Sequence, residues 1–271
     1  MPAMEDLQQR WAARSERRAR HLVDADWPNI RSAWAMLEGR RDALDLGCGG
    51  GLVTLRLARA EPKVRFVGVD IRSDAVARAR ERAAEEGVPN AIFQEADAEA
   101  LPFPEGAFDV VWVRFLLQHV PDPARVVREA VRVLRPSGQL LAWDWDEALT
   151  LVEPESPPLR RLLEARRDYQ RREGKETRIG RKLAPLLEEA GLTRVRATLM
   201  DWNTTDPGRV WLTQFLGLGA ANIRDNPLVR EGWFSPEEYG QLVAESRRYL
   251  ESGGSFVSCG AYLAVGTRPE G

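Results

Sequence analysis

The run Ala43-Leu-Asp-Leu-Gly-Cys-Gly-Gly-Gly51 constrains this chain more than any other stretch. It reads as a short apolar strand that breaks into a glycine-rich turn, and the pattern Leu52-Val-Thr-Leu-Arg-Leu-Ala-Arg-Ala60 that follows is helical. Glycines there remove the Cβ atoms that would hold a ligand off the backbone, and a helix N-terminus beyond the turn offers unpaired N–H groups. A nucleotide-like cofactor can therefore lie on that loop. Gly47, Gly49 and Gly51 are spaced G-x-G-x-G, with Leu52 where the dinucleotide fingerprint has its third glycine, so the spacing departs from that fingerprint. Asp45 approaches from the strand side, and the next strand, Val64 to Asp70, ends in a carboxylate suited to two ribose hydroxyls. An acid there serves NAD and adenosyl ligands alike.

Strands at 43–46, 64–70, 91–95, 109–113 and 138–144 alternate with helices at about 51–60, 73–86 and 122–134. Such alternation predicts a parallel sheet covered by helices on both faces. Ser73 and Asp122 are the expected N-caps, and Gly87 and Gly138 the expected terminators. Ahead of this region, Glu5 to Val23 and Asn29 to Leu37 read as helices around Trp27-Pro28. Beyond Asp146 the alternation stops. The proline-rich stretch Glu153 to Pro158 introduces a helix from Leu159 to Arg172, and a charged segment leads to a second helix at Gly180 to Ala190, closed by Gly191. A strand from Arg194 to Asp201, a helical insert of roughly Asp206 to Leu250 and a last strand from Phe256 to Thr267 complete the chain.

Composition narrows the functional classes. With 271 residues, 44% of them hydrophobic, the chain can bury a substantial core. A net charge of −2 and a pI near 5.9 leave no electrostatic footprint for a phosphate backbone, so no nucleic-acid partner is expected. Cys48 and Cys259 lie in a glycine loop and an apolar strand, which suggests neither a disulfide framework nor a metal site. No apolar run reaches membrane-spanning length, and the N-terminus is charged rather than signal-like. The expectation is a soluble, cytoplasmic protein.

The motifs together resemble those of a class I S-adenosylmethionine-dependent methyltransferase, from about Arg41 to Asp146. After LDLGCGGG comes GVDIRSDAVARAR, with Asp70 at the ribose position. FQEADAEALPFPEGAFDVVWV follows, with Asp97 at the adenine-amino position and Ala98 beside it, and then RFLLQHVPDP and RVLRPSGQLL. The resemblance implies a Rossmann-like α/β fold with a seven-stranded, mostly parallel sheet, its last strand antiparallel, in the order 3-2-1-4-5-7-6. It also implies helices on both faces and an N-terminal helical cap over 1–40, ahead of a methyltransferase domain over 41–271 that carries helical inserts at about 151–190 and 206–250.

The implied cofactor is S-adenosyl-L-methionine, leaving as S-adenosyl-L-homocysteine, and the implied reaction is in-line methyl transfer to oxygen, nitrogen or carbon of a small organic molecule. On this resemblance the backbone of Gly47, Cys48 and Gly49 lines the methionine and ribose portion, and Asp45 orients the ammonium through water. Asp70 takes the ribose hydroxyls, Ile71 packs on the adenine face, Asp97 with Ala98 reads the adenine edge, and Val113 and Arg114 border the amino-acid end.

His119 is the candidate general base, because it follows the fourth strand and the only other histidine is His21 in the N-terminal helix. Its apolar setting, Phe115 to Pro121, equally suits a histidine that only hydrogen-bonds the fold. Gln118, with Arg114, is expected to orient ligands. Asp144, Trp145 and Asp146 follow the fifth strand, where an α/β sheet presents its binding edge, and read either as substrate-side residues or as a solvated turn with an anchoring indole. Trp11, Trp27, Trp34, Trp202, Trp211 and Trp233 fall in the regions that roof the acceptor pocket of this fold, although helical spacing alone would put them in a core.

Three other readings are narrower or different in kind. The segments LPFPEGAFDVV and VPDP are similar to those of quinone-ring C-methyltransferases. Amino-methylation of DNA or RNA would call for an Asn/Asp-Pro-Pro-aromatic motif where this chain has Val-Trp-Val-Arg-Phe. A sensor or scaffold that binds S-adenosylmethionine without turnover is the non-enzymatic alternative.

Overall fold

The computed structural model describes residues 20, 23–24, 26–37, 41–205, 212 and 223–270. The expected helix from Glu5 to Val23 and the first part of the helical insert, with Trp11, His21 and Trp211, lie largely or wholly outside those residues. The strands are β1 (Asp42–Leu46), β2 (Arg65–Asp70), β3 (Ala91–Glu95), β4 (Phe108–Arg114), β5 (Leu134–Glu153), β6 (Thr193–Asn203) and β7 (Phe256–Thr267). The helices are α1 (Leu52–Ala60), α2 (Ser73–Glu85), α3 (Pro123–Val133), α4 (Pro157–Arg172), α5 (Leu183–Glu189), α6 (Pro227–Arg230) and α7 (Pro236–Glu251).

The strands form one seven-stranded sheet in the order β3-β2-β1-β4-β5-β7-β6, as expected. β1, β2, β3, β4 and β5 are parallel, with Leu44 registered between Val67 and Val111. β7 runs the other way. The Arg268 amide donates to Gly138 O at 2.8 Å while the Ser137 amide donates to Arg268 O at 2.9 Å, a reciprocal antiparallel pair. On the opposite side, Thr193 bonds to Thr267 while Thr204 bonds to Val257, so β6 and β7 are antiparallel too.

Central strands buried on both faces are rich in apolar residues; β1 and β4 are buried along most of their length, with Asp42, Asp45, Asp109 and Arg114 as their charged members. Their apolar side chains join Val67 and Val69 of β2, Leu140 and Ala142 of β5, Val126, Val127, Ala130 and Val133 of α3 and Leu183 and Leu187 of α5 in one core. α3 presents an apolar face at helical spacing and starts where expected. The Asp122 carboxylate accepts the Arg125 amide at 2.9 Å, with Pro123 in the first turn. Gly87, at a φ of 60°, and Gly191, at 89°, end α2 and α5 in the left-handed conformation.

Several expectations are corrected. Ser73 is the first residue of α2 rather than its cap; Arg72 holds the cap position and no side chain bonds there. Gly138 lies inside β5, where a Cβ would stand 2.8 Å from Arg135 O. β5 does not end at 144 but continues to Glu153, alongside the antiparallel β7. The helix expected at Gly180–Ala190 begins as a 3-10 turn over Ile179–Lys182.

Contacts divide the chain into two compact units. The larger holds 31–149, 170–201 and 260–271; the smaller collects the described residues up to 30, 150–169 and those within 202–259. Within the smaller unit, Asp26 is fully buried and accepts the Trp202 indole N–H at 2.9 Å, α7 is capped by Ser235, and the Tyr249 hydroxyl donates to Pro154 O at 2.6 Å. Within the larger, Trp34 is buried against Phe66 and Trp112, with ring centroids 5.2 and 6.0 Å apart. Trp34 and Trp202 are core residues. Trp202 lies in the strand β6, so helical spacing accounts for the burial of Trp34 alone.

At the amino ends of the parallel strands, Arg135 bonds Asp109 at 2.7 Å and Asp42 at 2.9 Å, and Arg65 bonds Asp42 at 2.6 Å. Burial alone would raise the Asp42 pKa, but the Arg65 and Arg135 guanidinium groups hold it below the ordinary carboxylate value. A depressed folded-state pKa stabilises above the unfolded value and is lost as pH falls through the folded one. Arg135→Gln is therefore expected to cost about 1 kcal/mol near neutral pH, at the top of the solvent-screened range for exposed pairs. The difference from wild type should shrink below about pH 4 in urea titrations, as Asp42 protonates in both proteins.

Candidate cofactor and active site

The glycine loop sits at the carboxyl ends of β1 and β2. The Gly47 and Cys48 amides both donate to Val69 O, at 2.8 and 2.9 Å, which turns the chain sharply over the end of β2. Gly47, Gly49 and Gly51 all have positive φ, at 79°, 54° and 74°. A side chain would strain each of them, but their surroundings differ. A Cβ on Gly47 would stand 3.0 Å from Leu116, and one on Gly51 would stand 2.8 Å from Phe93 and 2.9 Å from Ala79. A Cβ on Gly49 would meet nothing within 4 Å. The loop is thus packed from below at Gly51 and open at Gly49, a cradle in which backbone can approach a ligand.

Three acids surround it. The Asp70 carboxylate accepts the Gly49 amide at 2.8 Å and the Arg72 amide at 3.0 Å, which holds strand end and loop together. Ile71, next in sequence, is 65% exposed and presents an apolar side chain beside the loop. Asp45 is buried and accepts the Thr54 hydroxyl of α1. Burial raises its pKa to about 6 against the Thr54 bond and the Arg114 charge, with Asp70 adding repulsion. The Cys48 thiol is likewise pushed up by burial, then by Asp45 and Asp70, so it stays protonated and is no nucleophile. Asp97 is exposed in the turn after β3, its carboxylate accepting the Glu99 amide at 2.9 Å. That turn is tied to β2 by the Ala96 amide bonding Asp70 O at 3.1 Å, and Ala98 packs against the core beside it.

The end of β4 supplies the other wall. Val113 is buried in the core, so its side chain is taken up by packing. Arg114 places its guanidinium carbon 4.2 Å from the Phe115 ring centroid and 5.0 Å from that of Trp143. Phe115 adopts a φ of 55°, a strained conformation for an aromatic residue, held by its amide bonding Trp143 O at 2.8 Å and by its ring stacking on Trp145 at 4.7 Å. This bend delivers Leu116 under Gly47 and places His119 at the end of a 3-10 turn over Leu117–His119. His119 is exposed. Partial desolvation and the Lys175 charge both favour the neutral imidazole, and solvent screens them on the open side.

The residues expected on the substrate side are placed differently from a solvated turn. Asp144, Trp145 and Asp146 lie within β5, all buried. The Asp144 carboxylate accepts the Gln118 amide at 3.2 Å, the Gln118 side-chain amide at 2.9 Å and the Trp145 amide at 2.9 Å. Burial raises its pKa to about 7 in spite of these bonds. Asp146 accepts the Arg181 guanidinium, in one contact at 2.9 Å, and the Ala148 amide at 3.1 Å. Gln118 and Asp144 therefore brace the bend after β4, and Asp146 anchors the segment around Arg181. Thr54, Phe93 and Leu116 were absent from the sequence reading of the site. Their only sequence signal is an ordinary place in an apolar pattern.

A family model described as a methyltransferase domain matches residues 44–142. The 27-O-demethylrifamycin SV methyltransferase of Amycolatopsis mediterranei is 44% identical over 103 residues, 38% of this chain and 38% of that protein. The ubiquinone biosynthesis O-methyltransferase of Sodalis glossinidius is 40% identical over 100 residues, 37% and 39% of the two chains. This chain thus matches well under half the length of these curated relatives. A solved structure, the [4+2]-cyclase SpnF, shares the fold with a TM-score of 0.58 at 23% identity, covering 89% of this chain and 82% of its own. A cyclase with this fold is a reminder that architecture alone leaves the reaction open. The family match and the site geometry coincide on the same strands: residues 44–142, which carry the glycine loop and the acids at the strand ends, match the model of a methyltransferase domain.

Proposed function

We propose that this chain binds S-adenosylmethionine on the β1–β2 edge and transfers its methyl group to an oxygen atom of a small organic molecule. The observation that carries the reading is the glycine cradle, open at Gly49 and flanked by Asp45, Asp70 and the exposed Ile71. These residues fit the adenosyl ligand in kind. Gly47, Cys48 and Gly49 offer backbone, Asp70 offers a carboxylate to the ribose hydroxyls, Ile71 an apolar face and Asp97 an acceptor to the adenine edge. Asp45 and Arg114 lie at the amino-acid end.

The bound ligand supplies a methyl group activated by its sulfonium. What the chain contributes is position, and alignment alone can lower such a barrier by roughly 7–11 kcal/mol at the best effective molarities. His119, neutral and exposed beside the β4 bend, is the group available to accept an acceptor proton. Oxygen is favoured as the acceptor atom because the names of both relatives speak of O-methyl groups. Neither name favours ring-carbon methylation. The weak net charge supports a small-molecule acceptor over nucleic acid.

The reading is tested by incubating the protein with S-adenosylmethionine and a panel of phenolic and other hydroxylated small molecules. Formation of S-adenosylhomocysteine dependent on one of them is expected, and tight cofactor binding with no turnover across the panel would favour the non-catalytic binding protein instead. Asp70→Ala should weaken S-adenosylhomocysteine binding at least about a hundred-fold in calorimetry, since charge-assisted bonds to two hydroxyls are each worth about 1.5–3 kcal/mol. Unchanged affinity would remove Asp70 from the ribose role. Because Asp45 has its pKa raised to about 6 and a cationic ligand favours the carboxylate, affinity should rise with pH through that value and level off by about pH 7. Asp45→Asn should abolish this pH dependence.

A further inference from the structure

α2 buries one face, made of Ala75, Val76, Ala79 and Arg82. An arginine among alanines is out of place there, since burying a guanidinium is costly unless its donors are used. Arg82 is only 6% exposed, and it donates to the carbonyl oxygen of Gly50. One turn earlier, Ala79 fills the space beneath Gly51. A Cβ on Gly50 would lie 3.4 Å from the Arg82 guanidinium. Small and charged residues of one helix face thus meet the glycine loop at Gly50 and Gly51, while the Cβ position of Gly49 stays open.

We propose that Arg82 is a positioning residue for the cofactor loop: by holding the Gly50 carbonyl from below, it fixes the peptide planes between Gly49 and Gly51 in the conformation that receives the ligand. A loop with three residues at positive φ has many accessible conformations, and ordering it only on binding would cost affinity. The Asp70 bond fixes Gly49 from one side and the Gly51 amide closes the turn on Cys48 O at 3.0 Å. Arg82 is the side chain that fixes the carbonyl between them. It touches no reacting atom, and the chain's own glycine spacing gives no hint of it, because the contact spans 32 positions.

This inference rests on the S-adenosylmethionine reading, and the test separates the two. Wild type, Arg82→Met, which loses the donor, and Arg82→Lys, which keeps one, are titrated with S-adenosylhomocysteine by calorimetry. Amide hydrogen exchange over residues 48–52 is followed without ligand. The expected result is affinity at least ten-fold weaker and faster loop exchange in Arg82→Met, with exchange elsewhere in the sheet unchanged, and recovery of most of the affinity in Arg82→Lys. Should Arg82→Met fail to fold, Arg82→Gln, whose shorter amide stops short of Gly50, takes its place with the same expectation. Wild-type affinity in the donor-deficient variant, or loss in the lysine variant as large as in the methionine one, would overturn the role of Arg82. Failure of wild type itself to bind would overturn the cofactor reading and this inference with it.

Discussion

The hydrogen bond from the Gly49 amide to the Asp70 carboxylate joins the two adjacent strand ends on which the site is built. It brings an acid from the end of β2 against a backbone that only glycine can shape, and the neighbouring Gly47 and Cys48 amides close on Val69 of the same strand. The arrangement has a further condition beneath it. Phe93 of β3 occupies the space left by the missing side chains of Gly51 and Gly68, approaching the ideal Cβ positions to 2.8 and 2.5 Å. Loop, second strand and third strand thus fit only as a set.

Two buried acids illustrate how burial assigns roles. Asp45 and Asp144 are both lifted well above an ordinary carboxylate by desolvation, to about 6 and about 7. Asp144 is met by two amides and a side-chain amide of the protein itself, so its bonding capacity is used in bracing Gln118 and the bend after β4. Asp45 is met by the Thr54 hydroxyl, with the Arg114 charge nearby, at the edge of the cradle. The same residue type, similarly buried, is met by three protein amide donors in one place and by a single hydroxyl and a nearby guanidinium charge in the other.

The bend after β4 shows tertiary structure overriding local preference. Phe115 has no intrinsic reason to adopt positive φ, yet stacking on Trp145 and the amide bond to Trp143 hold it there, and both partners come from β5. The consequence is felt at Gly47, which is covered by Leu116, and at His119, which is turned out to solvent. Arg114, above the same rings, takes part in the wall through its charge and its flat guanidinium.

The sequence by itself determined the alternation of strands and helices, the glycine loop, the acids at the strand ends, the Asp122 cap and the strand order implied by the family motifs. Each of these rests on spacing within one element or on signals that recur in a known order. It left unread the extension of β5, the burial of Asp144 and Asp146, the pairing of Trp202 with Asp26, and the supports supplied by Thr54, Phe93 and Arg82. Those depend on partners from other segments: β7 lies alongside β5, Asp26 receives Trp202, and α2 brings Arg82 under Gly50. Periodicity tells which face of an element is apolar. Only the packed chain decides which polar groups that face encloses and with whom they pair, because desolvation and hydrogen-bond geometry depend on neighbours far away along the chain.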